Sequence, residues 1–145
     1  MLNIPLCTSL VGWFFAQFIK ILIALWHEKR FNLTLLWSSG GMPSSHSALV
    51  TSLASSIAYT QGIGSVAFAV SAVFAFVVMY DAAGVRRAVG EQAKILNKIN
   101  AENETITFEK VLKELVGHTP LQVFFGGLLG ILIGILFPLI LGNYI

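Results

Sequence analysis

Five ionisable side chains stand at the ends of apolar runs in this chain: Lys20, His46, Arg86, Arg87 and His118. Such groups are costly near membrane depth and mark functional sites by default. Histidine gives or takes a proton near neutral pH, and two of them beside lysine and arginine suit phosphoryl transfer. The cations would hold the equatorial oxygens while one imidazole attacks phosphorus in line and the other protonates the leaving oxygen. The sequence has no P-loop, and too few carboxylates stand near these positions to hold a pair of magnesium ions. No metal or other cofactor is therefore expected. The plainer reading is that the cations snorkel and the histidines cap helices or sit at the interface.

The stretch around the first of these histidines is Gly40-Gly41-Met42-Pro43-Ser44-Ser45-His46-Ser47. Pro43 suits the first turn of a helix, where its missing N–H is no loss, and Ser44 and Ser45 can satisfy free amides there. A helix N-terminus carries partial positive charge and unpaired N–H groups, so it seats anions. The two glycines let backbone approach such a ligand.

These residues must be positioned by helices that cross a membrane. The chain is 56% hydrophobic and only 11% charged, with a mean hydropathy of +0.80, which places it in the membrane class. The expected fold is all-α: a single membrane domain, 1–145, with about four transmembrane helices at roughly 4–26, 44–61, 65–83 and 119–142. The start reads as a retained span, because no Lys or Arg precedes the first apolar run. Cys7 is the one cysteine and reads as a small apolar residue. Between spans three and four, residues 84–118 are polar and read as an interfacial amphipathic helical hairpin. Its first arm runs through Val85, Val89, Leu96 and Ile99, its loop is Asn100–Glu104, and its second arm is Phe108–Val116 with Thr107 as cap. His118-Thr119-Pro120 opens the last span, with Thr119 as N-cap.

Small residues recur every fourth position in span two (Ser47, Thr51, Ser55) and span four (Gly126, Gly130, Gly134), the spacing of close helix contacts in lipid. Four spans make a thin bundle, and the glycine ridge suggests that a homo-oligomer completes the packing. Positive charge falls in the loops after spans one and three, so both charged loops, and the site with them, are expected on the cytoplasmic side. The end of span one, the start of span two, the end of span three and the start of span four then share that side. The basic residues form no extended basic face, so nucleic acid is not an expected partner; membrane lipids are.

Three motifs carry a resemblance to a known family. They are Gly40 to Ala48, Tyr80-Asp81-Ala82-Ala83-Gly84-Val85-Arg86-Arg87 and Lys113-Glu114-Leu115-Val116-Gly117-His118-Thr119-Pro120. Together they resemble the divergent type 2 phosphatidic acid phosphatase family, whose members are often labelled acid phosphatase/vanadium-dependent haloperoxidase-related. The resemblance implies an integral-membrane phosphatase of a bacterial inner membrane or plastid-type membrane. It would act on a lipid phosphate or diphosphate through a phosphohistidine. It casts His118 as nucleophile, His46 as acid, and Lys20, Ser44, Ser45, Arg86 and Arg87 as phosphate ligands. The chain departs from the parent pattern at several points. Pro-Ser-Ser-His replaces Pro-Ser-Gly-His, and thirty residues separate Arg87 from His118 where the parent motif has a short gap. Gln122 stands four after His118 in place of aspartate. On a helix starting near Thr119, Gln122 reaches the His118 ring and would orient it without supplying charge. Asp81 or Glu114 could supply the charge instead. The alternative function is a relative with little or no catalysis that binds or moves an anionic lipid.

Overall fold

A computed structural model describes residues 3–28, 41–102, 111–114 and 116–142. Five helices are present among them: α1 (Ile4–Glu28), α2 (Ser45–Gln61), α3 (Val66–Ala83), α4 (Val85–Glu102) and α5 (Pro120–Gly142), with no strand. The expected all-helical membrane bundle is what forms. α1, α5 and the α3–α4 stretch are long and apolar enough to cross a membrane. At 17 residues α2 is shorter, about 25 Å of helix.

α2 is the hub. It packs against α1, α3 and α5, and its buried residues are mostly small, five of the nine being hydroxylic: Ser45, Ser47, Thr51, Ser52 and Ser56. Large apolar side chains point outward instead, among them Phe14 and Phe18 on α1, Phe74 and Phe76 on α3, and Phe124 and Leu128 on α5. This distribution is that of a bundle in lipid, where small residues let backbones meet and hydroxyls bond between helices. Ser56 Oγ donates to Thr8 Oγ1 of α1 at 3.2 Å, and Thr51 Oγ1 donates to the Gly127 carbonyl of α5 at 3.1 Å. The glycine ridge Gly126/Gly130/Gly134 forms this α2–α5 contact. A Cβ at Gly130 would fall on Thr51 Oγ1 and the Ala48 carbonyl, and one at Gly134 would lie 2.5 Å from Ser55 Cβ. The ridge therefore joins two helices of one chain.

Three local expectations are corrected. Helix α2 begins at Ser45, with Ser44 as its N-cap, so Pro43 lies just outside the helix rather than in its first turn. Helix α4 runs on to Glu102, taking in Asn100, Ala101 and Glu102 of the expected loop. The second hairpin arm is not helical at 111–114 or 116, because Leu112 gives its backbone bonds to Asn97 of α4 instead of to its own segment. The Thr107 cap and the start of that arm lie outside the described residues.

Candidate functional site

The helix ends that the sequence brings to one side do meet there. Two contacts fix α5 to its neighbours at this end: Ser44 N–H donates to the Gln122 carbonyl at 3.0 Å, and His118 N–H donates to the Ala82 carbonyl at 2.9 Å. The first joins the starts of α2 and α5, and the second ties the approach to α5 onto the end of α3. The His46 and His118 rings lie edge to face, 6.1 Å between centroids, so both can touch one small anion.

Lys20 rises from α1 into the same place. It is 3% exposed, and its Nζ has no hydrogen-bond partner among the described residues; His118 is 2% exposed, and its Nε2 is likewise sealed and unpartnered. Gly41 touches both. At φ 93° it takes a conformation open to glycine, and a Cβ there would crowd the Lys20 chain at 3.2 Å. Buried polar atoms are nearly always paired, so two orphans at one spot describe a receptor for a missing partner. A cation and an imidazole, with the amides of Ser45 and His46 in the first turn of α2, for which no partner stands among the described residues, call for an anion.

His118 is held in one orientation. Thr119 N–H donates to Gln122 Oε1 at 3.0 Å, and Gln122 N–H donates to Thr119 Oγ1 at 3.3 Å, a reciprocal cap of α5. This cap fixes which end of the amide is oxygen. His118 Nδ1 lies 3.3 Å from that oxygen, so the ring carries its proton on Nδ1 and presents the Nε2 lone pair to the pocket. Burial holds the imidazole below the ordinary 6.5. The Gln122 bond opposes this, the Lys20 and His46 charges add to it, and the Gly41 backbone opposes it again. The cap is a T-x-x-Q pattern visible in the sequence, and reading Gln122 only as a replaced aspartate misses it.

The other expected residues divide. Ser44 is engaged as the α2 cap: its Oγ accepts from Ser47 N–H at 3.3 Å and from Ser47 Oγ at 3.0 Å. Ser45 is buried beside it, and its amide has no partner among the described residues. Arg86 is half exposed and pairs with Asp81, and the fields of both reach His46. Asp81 thus faces Arg86 rather than the His118 ring. Glu114 accepts from Asn97 Nδ2 at 2.8 Å, so of the three residues expected to orient His118 it is Gln122 that contacts the ring. Arg87 lines a cavity of about 310 Å³ beside His118 and Gln122, together with Glu91 and Lys94.

No solved structure matches this chain. It is 47% identical over 144 residues to the uncharacterized membrane protein YuiD of Bacillus subtilis (strain 168), covering 90% of this chain and 91% of that protein. The profile of the family described as Divergent PAP2 matches residues 1–133, which takes in all four helix ends that build the pocket. The chain belongs to the Divergent PAP2 family.

Proposed function

We propose that this protein is a membrane phosphatase that hydrolyses a lipid phosphate or diphosphate through a phosphohistidine on His118. The observation that carries the reading is the pair of sealed atoms, Lys20 Nζ and His118 Nε2, that lack a partner among the described residues and lie beside His46. In the first step the Nε2 lone pair forms the N–P bond as the P–O bond to the lipid breaks, and His46 delivers its proton to the leaving oxygen. Lys20 and the amides of Ser45 and His46 take the oxygens of phosphorus, with Arg87 approaching from the cavity side. Water then attacks phosphorus, His46 takes its proton, the N–P bond breaks, and His118 is restored as inorganic phosphate leaves. The charged loops, and the pocket with them, are assigned to the cytoplasmic face from the distribution of Lys and Arg.

One observation favours a second reading. The group on Nδ1 is the amide of Gln122, which holds the tautomer but adds no charge to stabilise an imidazolium. A pocket with this anion affinity and slow turnover would serve a protein that binds or moves an anionic lipid. Purified protein assayed for phosphate release from a panel of lipid phosphates and diphosphates, without added metal, separates the two. Release that His118→Ala abolishes supports the phosphatase; phosphate binding with no release from any lipid supports the carrier.

A further inference from the structure

The strap 111–119 delivers His118 without any helix of its own over its described residues, and α4 holds it in place. The Asn97 side chain donates from Nδ2 to the Leu112 carbonyl at 2.9 Å and accepts on Oδ1 from Leu112 N–H at 2.9 Å. One amide therefore satisfies both backbone polar groups of Leu112, as a neighbouring strand would. The same Nδ2 donates to Glu114 Oε1 at 2.8 Å. Two turns back on that face Gly90 meets the strap: a Cβ there would fall 2.6 Å from the Glu114 carbonyl and 2.8 Å from that of Val116. Ala93, between Gly90 and Asn97, is buried. Gly117 then lies on the Arg86–Arg87 backbone at φ 87°, and the next residue is His118, anchored to Ala82.

We propose that Asn97 is a positioning residue for His118: its clasp on Leu112 and Glu114 sets the register of the strap on α4, and the strap sets the seat of the imidazole. The face Gly90/Ala93/Asn97 is bare enough for backbone to lie on it, and Asn97 is the side chain on it that bonds the strap. Among the described residues, the other points that hold the strap are the close contact of Gly90 with the Glu114 and Val116 carbonyls and, at its far end, Gly117 and His118 themselves. A displacement of the reacting group by about 1 Å can cost on the order of 100-fold in rate, so a register error here is a catalytic error.

The catalytic half of this proposal rests on His118 being the nucleophile; the positional half does not. The test uses the full chain in detergent with ¹⁵N-labelled histidine, comparing wild type with Asn97→Leu, Asn97→Asp and, as a control on the exposed face of α4, Lys98→Ala. Asn97→Leu should replace the single Nδ1–H tautomer of His118 by mixed ring shifts and lower kcat on a lipid phosphate by on the order of 100-fold, with KM within about twofold. Asn97→Asp keeps the acceptor for Leu112 N–H but sets a carboxylate oxygen against the Leu112 carbonyl and Glu114 Oε1, so it too should disturb the His118 ring shifts and lower kcat. It also decides the matter if Asn97→Leu does not fold. Lys98→Ala should match wild type. Native His118 shifts in both Asn97 variants would overturn the proposal whatever happens to kcat. Should wild type release no phosphate, the phosphatase reading fails, and the ring shifts still settle the role of Asn97.

Discussion

His118 and Gln122 share one oxygen with the cap of α5: Gln122 Oε1 takes the Thr119 N–H at 3.0 Å and stands 3.3 Å from His118 Nδ1. The amide thus has two tasks, closing the helix start and choosing the tautomer. A carboxylate of the same length would do both and add charge.

Gln122→Glu should therefore keep the cap, since Glu and Gln serve equally at that position, and raise turnover on a lipid phosphate by about tenfold or more. Serine-protease triads run the same way, an amide in place of the buried acid costing about 10⁴ in rate. Gln122→Asp carries the charge on a shorter arm and should gain less. Steady-state phosphate release with each variant checks this; a fall in kcat for Gln122→Glu would mean that another group supports the charged ring.

The pH dependence has a definite sign. His118 attacks as the neutral ring, and burial holds its proton affinity below the ordinary 6.5. The acid limb of kcat/KM should accordingly lie below 6.5, with activity lost as pH falls through it. Folding follows the same sense, because the unfolded chain binds the proton more tightly: the contribution of His118 to stability is full above 6.5 and fades as pH falls through the depressed value. Gln122→Glu should move the limb upward. A pH–rate profile of both proteins reads the shift, and a wild-type acid limb above 6.5 would contradict it.

Lys20 sits buried without a partner among the described residues, which a fold built for stability alone would not retain. Lys20→Met should raise the melting temperature in detergent while abolishing phosphate binding measured by calorimetry. Loss of both would mean that Lys20 is structural.

The α2–α5 seam gives a graded test of packing. Gly130→Ala would drive a Cβ into Thr51 and the Ala48 carbonyl and should cost about 1–3 kcal/mol. Gly127→Ala meets only Met79 at 3.4 Å and Thr51 at 3.8 Å and should be close to neutral. Thermal unfolding in detergent ranks the two, and equal losses would show that the seam is not what limits them.

Much of this arrangement is legible in the sequence, and the reasons are local. Hydropathy marks the helices, Thr119-Pro120 marks the start of α5, and the ionisable residues at helix ends mark the pocket. Lys20 and His118 meet because up-and-down topology brings alternate helix ends together. The second hairpin arm is beyond a local reading: Phe108–Val116 has helical periodicity, but over the described part a long-range clasp from Asn97 and the bare Gly90 override it. The glycine ridge is legible as a contact surface, while its partner, α2, can be known only from the fold.

The covalent step at His118 Nε2 is the claim on which the phosphatase reading turns. Protein mixed with a ³²P-labelled lipid phosphate and quenched within a turnover should carry label that survives alkali and is lost in acid, as a phosphoramidate does. The label should map to the peptide containing His118 and be absent in His118→Ala. Labelled phosphate released with no such adduct at any quench time, or an adduct that persists in His118→Ala, would contradict the mechanism.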